Sequence, residues 1–293
     1  MRPVGTFFFW IIRFKLFRVR RVSFFFPSNN KNNNNLYIGT GSTTRTPLSA
    51  VLTPDAMKSY HKVFAFLWQL KRVEHSLVAH WKNHIHVAKS GAAVLLESSG
   101  VVHKCRALHH EMQHFVNNLH NYIMFEVLET SWEELSREMP VAKDLDGVIK
   151  AHEEYLQKVL SKVLVDKEAE EVRGLLNRVF DLIVRFSRSE SRMYSTISEA
   201  TLAIREKRKQ IESKTRDGWG ITPALESLSE QRREGLRRTF DLYTKEFQEL
   251  HDEYTELIRN LLFILRDKYS RSENLQFLAF RLDFNTYYED VAE

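Results

Sequence analysis

From Pro54 onward apolar residues recur every three or four positions, and almost no stretch alternates with the period of two that a half-buried strand requires. Thr53-Pro54-Asp55 supplies a cap and first turn. Val63, Leu67, Leu70, Leu77 and Trp81 continue at helical spacing to about residue 86. A Ser/Gly-containing break at 90–100 precedes a second helix over 101–138, closed by Pro140. Asp144 is placed to cap a third, whose stripe is Leu145, Val148, Ile149, Leu156, Val159, Leu160 and Val163. A fourth starts near Lys167, uses Leu175, Leu176, Val179, Phe180 and Ile183, and extends past Arg205. SKTRDGWGITP (213–223) interrupts the pattern and predicts a loop. A long fifth helix carries Phe240, Tyr243, Phe247, Leu250, Tyr254, Leu257, Leu261 and Ile264 on one side. A short one around 272–282 runs into FLAFRLDFNTYY (277–288). The expectation is an all-α fold: an elongated bundle of about five or six helices, several of them long.

Composition agrees with that expectation. Among 293 residues glycine (10) and proline (6) are scarce and 28% are charged, which favours long helices over a turn-rich β fold. The single cysteine, Cys105, excludes an intramolecular disulfide and suits a reducing compartment. The net charge of +5 is unevenly distributed. Residues 1–54 hold no acid and eight basic residues, so the remainder carries −3 and gives no support to nucleic-acid binding.

The first 46 residues differ from the rest. FFFWII (7–12) is too short to span a bilayer and is followed by five basic residues from Arg13 to Arg21. NNKNNNN (29–35) is low-complexity, and YIGTGS (37–42) lacks the third glycine and the Gly-Lys-Ser/Thr ending of a nucleotide loop. Two domains follow: a basic, aromatic and Asn-rich unstructured tail over 1–46, and a helical domain over 47–293. An anchor at a membrane surface through residues 7–26 is an alternative use of the tail.

The one motif with catalytic chemistry lies in the second helix. His110-Glu111-Met112-Gln113-His114 matches H-E-x-x-H, in which two histidines one turn apart grip zinc and the glutamate activates water. His120 falls where a third ligand would stand in one class of such proteases. On a helix, however, Leu108, Met112, Phe115, Leu119, Tyr122 and Ile123 form the apolar stripe, and His110 and His114 project from nearly the opposite side. His120 points about 120° from His114 and about 9 Å further along the axis, so one ion cannot collect all three. A metal site at His110, Glu111, His114 and His120 is therefore rejected, no cofactor is expected, and a zinc metalloprotease stands only as an alternative function. Cys105 falls in the apolar stripe and reads as a small buried hydrophobe. The basic clusters REKRK (205–209) and RREGLRR (232–238) read as solvated helical faces.

TPLSAVLTPDAMKSYHKVFAFLWQLKRVEHSL (46–77), HHEMQHFVNNLHNYIMFEVLETSW (109–132), AKDLDGVIKAHEEYL (142–156), RDGWGIT (216–222) and FLAFRLDFNTYY (277–288), in that order, resemble the C-terminal half of the gamma-tubulin complex component family, with its component 3 branch the nearest. TPLSAVLTPDAMKSYHKVFAFLWQLKRVEHSL (46–77) is similar to the start of that family's second conserved helical region. HHEMQHFVNNLHNYIMFEVLETSW (109–132) resembles its central helix, and AKDLDGVIKAHEEYL (142–156) the next one. RDGWGIT (216–222) resembles an inter-helix insert of the component 3 branch, and FLAFRLDFNTYY the family's C-terminal signature. The resemblance implies a non-catalytic, gamma-tubulin-binding scaffold in microtubule nucleation. Its implied partners are gamma-tubulin and other components of the complex, and its implied location is the cytoplasmic cytoskeleton at a microtubule-organizing center or spindle pole. The family's preceding half, which mediates lateral contacts, has no match, and residues 1–45 resemble neither half. The expectation is a truncated chain that binds gamma-tubulin without its lateral-assembly half. Arg281, Asp283 and Phe284 are the candidate partner contacts; packing of Phe280, Leu282 and Phe284 on the bundle is the favoured reading of the aromatics.

Overall fold

Helix α2 (Pro54–Lys89) begins where Thr53 caps it: the Thr53 hydroxyl accepts the Ala56 N–H at 3.2 Å and the Thr53 carbonyl accepts the Met57 N–H at 3.0 Å. In this computed structural model residues 48–89, 100–166, 169–216, 223–267 and 273–288 are described, all within the unit Arg45–Glu293. A single turn, α1 (Leu48–Val51), precedes α2. Then come α3 (Val101–Asn121), a π-helical segment (Tyr122–Glu129), α4 (Thr130–Glu138) and a 3₁₀ turn (Met139–Val141). The chain continues through α5 (Leu145–Lys162), α6 (Glu170–Arg216), α7 (Pro223–Asp267) and α8 (Glu273–Leu282). No strand occurs among the described residues, so the fold is the all-α helical bundle that the hydrophobic spacing predicts. The proposed tail (1–46) and the apolar segment 7–26 lie outside the described residues.

Four long helices close a ring. α2 packs on α3 and α6, and α7 packs on those same two helices. Each sends one apolar stripe to the common centre: Leu70, Val73 and Leu77; Leu108, Met112 and Phe115; Val179, Ile183 and Phe186; Phe247, Leu250 and Tyr254. Aromatic pairs such as Phe186–Phe247, with centroids 5.8 Å apart, fill the space between the adjacent helices α6 and α7. At 47 residues α6 is about 70 Å long, so the bundle is extended along its helices.

The second helix is not a uniform α-helix over 101–138. Leu119, Ile123, Val127, Ser131 and Leu135 are all buried, a spacing of four that an α-helix with 3.6 residues per turn would rotate away from the core. The wider π turn over Tyr122–Glu129 absorbs the mismatch. It also turns Tyr122, Ile123 and Met124 inward together. At its end both the backbone N–H and the hydroxyl of Thr130 reach the Phe125 carbonyl five residues back, the hydroxyl at 3.1 Å.

Asp144 caps α5 as expected, its carboxylate accepting the Gly147 N–H at 2.8 Å. Leu145, expected in the α5 stripe, is exposed. α5 ends with Leu164 in the left-handed region at φ 63°. Val165 N–H bonds the Leu160 carbonyl and Leu164 N–H the Ser161 carbonyl, the paired bonds that close a helix over its last turn. Glycine usually takes that position; here burial of the leucine side chain offsets the strain. Both ends of the predicted loop at 213–223 are helical. Residues 213–216 continue α6, and Pro223 opens α7 with its preset backbone angle. Residues 217–222 and residues 90–99 of the predicted break at 90–100 lie outside the described residues.

Candidate functional site

Along α3 the H-E-x-x-H side chains part company. His110 and His114 are exposed, as the helical geometry requires. Glu111 turns instead to α7, where its carboxylate stands 3.5 Å from His251 Nε2, a charge contact rather than a close hydrogen bond. His114 lies over α8, its ring 6.4 Å from that of Phe284. His120 faces α2 and contacts the Glu74 carboxylate at 3.3 Å. Glu111 and His120 are thus drawn to two different helices while His110 and His114 stay exposed, and the helix runs unbroken through Asn117 and Asn118. Among the described residues no group of three or more metal-ligating side chains converges.

These polar side chains tie helices together. Burial opposes ionisation of Glu74, but hydrogen bonds and charge from His120 and Lys71 outweigh it and hold its pKa at about 2. The Glu111 carboxylate raises the pKa of His251 against the opposing effect of burial, with Asp252 adding to it. In the bundle centre the Glu190 carboxylate is fully buried and is shared by His109 Nδ1 at 3.2 Å and Cys105 Sγ at 3.6 Å. Burial, then the Glu190 charge, push the Cys105 thiol far above its ordinary pKa, which removes it as a nucleophile.

Among the described helices, α8 combines a buried apolar side with a row of exposed aromatics on the other. Its inner side, Leu275, Leu278, Ala279 and Leu282, is buried against α3 and α7. Its outer side carries Phe277, Phe280 and, just past the helix end, Phe284 at spacings of three and four; they are 38%, 61% and 62% exposed. The Arg281 guanidinium lies 4.9 Å from the centre of the Phe277 ring. A helix apolar on both faces belongs inside a structure, so the open side of α8 marks a surface built to be covered. Of Phe280, Leu282 and Phe284, only the leucine packs on the bundle; the two aromatics, for which packing is the favoured sequence reading, face outward.

Asp283 behaves unlike its neighbours. It is 3% exposed, and its carboxylate meets Arg266 Nη2 at 3.4 Å and the Tyr288 N–H at 3.4 Å. Of the three candidate contacts, Phe284 is exposed and Arg281 half-exposed, while Asp283 is directed inward. Phe263 of α7, 69% exposed among Glu256, Asn260 and Asp267, escapes the sequence reading. Its signal is there: a phenylalanine on the polar side of an otherwise regular stripe.

The family model "Gamma tubulin complex component C-terminal" matches residues 43–288, the whole helical body. The chain belongs to that family. It is 36% identical over 246 residues to the gamma-tubulin complex component 3 homolog of Xenopus laevis, covering 83% of this chain and 27% of that protein. Against gamma-tubulin complex component 3 of Arabidopsis thaliana it is 36% identical over 251 residues, with 83% and 29% covered. Spindle pole body component 98 of Dictyostelium discoideum is 28% identical over 247 residues, with 84% and 27% covered. The chain thus spans less than a third of the length of these relatives. The family match covers the H-E-x-x-H helix and the α8 face together, and the diverging side chains of the former leave the latter as the candidate functional site.

Proposed function

We propose that the helical body binds gamma-tubulin, and that the docking surface is the outer face of α8 together with the exposed His114 edge of α3. The observation that carries this reading is the uncovered row Phe277, Phe280 and Phe284 on a helix whose opposite side is already packed. Names of the relatives supply the class of partner: gamma-tubulin complex and spindle pole body components. Phe280 and Phe284 offer large, stiff apolar contacts, and Arg281 supplies a cation beside them, the kind of residues that dominate protein interfaces.

The role is scaffolding without catalysis. Starting a microtubule from free subunits costs translational and rotational entropy before enough contacts exist to offset it. Holding gamma-tubulin beside other components of the complex raises its effective concentration and lowers that barrier. Long helices packed in a ring transmit position over tens of ångströms without bending. The place of action is the cytoplasmic microtubule-organizing center or spindle pole. No described helix is long and apolar enough to cross a membrane. With one α8 face per chain, each chain engages one gamma-tubulin.

Gel filtration of the full chain with purified gamma-tubulin tests the proposal. Co-elution as a one-to-one complex is expected. Separate elution of a chain shown to be helical by circular dichroism refutes it.

A further inference from the structure

The turn that carries Phe284 and Tyr287 is held from beneath by two arginines of α7. Arg266 pairs with the buried Asp283 carboxylate at 3.4 Å, and the other oxygen of that carboxylate accepts the Tyr288 N–H. On the same face of α7, two turns back, Arg259 Nε donates to the Tyr288 carbonyl at 3.1 Å. Gln276 fastens the start of α8 to the end of α7 through the Leu265 and Arg266 carbonyls, at 3.1 and 3.3 Å. Between these anchors Thr286 sits in the left-handed region at φ 55°, a strained conformation for a residue with a side chain. Phe284 and Tyr287 stand outside the clamp and are exposed.

We infer that Asp283, gripped by Arg266, is a positioning residue for the docking surface: with Arg259 holding the Tyr288 carbonyl, it fixes residues 283–288 so that Phe284 and Tyr287 are presented for docking. This rests on the docking proposal above. A buried carboxylate is a poor device for stability alone, since apolar residues of similar volume commonly do as well or better. What it supplies here is directional: one oxygen faces the α7 cation, and the other sets the backbone of Tyr288. A turn already ordered before binding lowers the entropy lost when the complex forms.

Two variants separate positioning from stability. Asp283→Asn removes the ion pair. Asp283→Leu combined with Arg266→Met replaces the pair by apolar packing. Both are made in the full chain, with thermal melting, amide exchange of residues 284–288 and affinity for purified gamma-tubulin as readouts. Asp283→Asn is expected to speed exchange across the turn and to weaken binding roughly tenfold. The double variant is expected to melt like the wild type yet bind as weakly as Asp283→Asn. Wild-type affinity in the double variant, or unchanged turn exchange in Asp283→Asn, overturns the inference. A wild-type chain that does not bind gamma-tubulin fails the docking proposal itself, a result distinct from wild-type binding that the variants leave untouched.

Discussion

Replacing Phe284 by alanine perturbs the proposed docking surface while leaving the bundle almost untouched. The residue is 62% exposed and its nearest ring is that of His114, 6.4 Å away. A phenylalanine can bury roughly 200 Å², so about 120 Å² of this side chain awaits a partner. At ~25 cal/mol per Å² that area is worth about 3 kcal/mol, somewhat less after the methyl group that alanine retains. Each 1.4 kcal/mol is tenfold in affinity, so Kd for gamma-tubulin rises about 30- to 100-fold. Folding stability should change by no more than about 0.5 kcal/mol, because little of the ring is packed in the free chain. Biolayer interferometry against gamma-tubulin, with urea unfolding in parallel, measures both quantities. The loss should persist at high salt, since the contact is apolar and screening leaves it intact. Arg188→Ala, at an exposed position of α6, is the control and should bind normally. Affinity within threefold of wild type in a normally folded Phe284→Ala chain would refute the reasoning.

Three further expectations concern the bundle. Tyr122→Phe removes the hydroxyl that donates to the Lys162 carbonyl at 3.1 Å, and urea unfolding should show a loss of about 1 kcal/mol. Asp144→Ala deletes the α5 cap and should also cost about 1 kcal/mol, with the loss read as faster amide exchange in the first turn of α5. His251 has a pKa raised mainly by Glu111, so its contribution is fully present below its unfolded pKa and disappears as pH rises through the higher folded value. His251→Gln should therefore destabilise clearly near pH 6 and little near pH 9; equal losses at both pH values would contradict the assignment.

Most of the fold was legible because each long helix has one dominant stripe. Phe247, Leu250, Tyr254, Leu257 and Leu261 state both the helix and its buried side. Thr53 and Asp144 announce their helices through short-range hydrogen bonds that need no knowledge of tertiary structure. The π segment was legible in principle, since Leu119, Ile123, Val127 and Leu135 keep a spacing of multiples of four, but a uniform 100° per residue conceals it. The continuation of α6 to Arg216 went unread because SKTR resembles loop composition, whereas the helix extends on the good helix formers that precede it.

The site was less legible than the fold. Helical geometry sufficed to turn His110 and His114 outward, yet the attachment of Glu111 to His251 and of His120 to Glu74 depends on which helices become neighbours. The same limit applies at the C-terminal turn. Asp283 and Phe284 are adjacent and both look like surface candidates in FRLDFN, but Arg266, seventeen residues away in sequence, draws one inward and leaves the other outside. Sequence spacing tells which residues share a face of one helix; it does not tell which faces a neighbouring helix covers.

The central claim is that this helical body holds gamma-tubulin through the open face of α8. Sedimentation velocity of the full chain mixed with purified gamma-tubulin tests it most directly, with the Phe280→Ala/Phe284→Ala double variant run alongside. The account predicts a single faster boundary of one-to-one mass for the wild type and two separate boundaries for the variant. Separate boundaries for the folded wild type, or an undiminished complex with the variant, would contradict it.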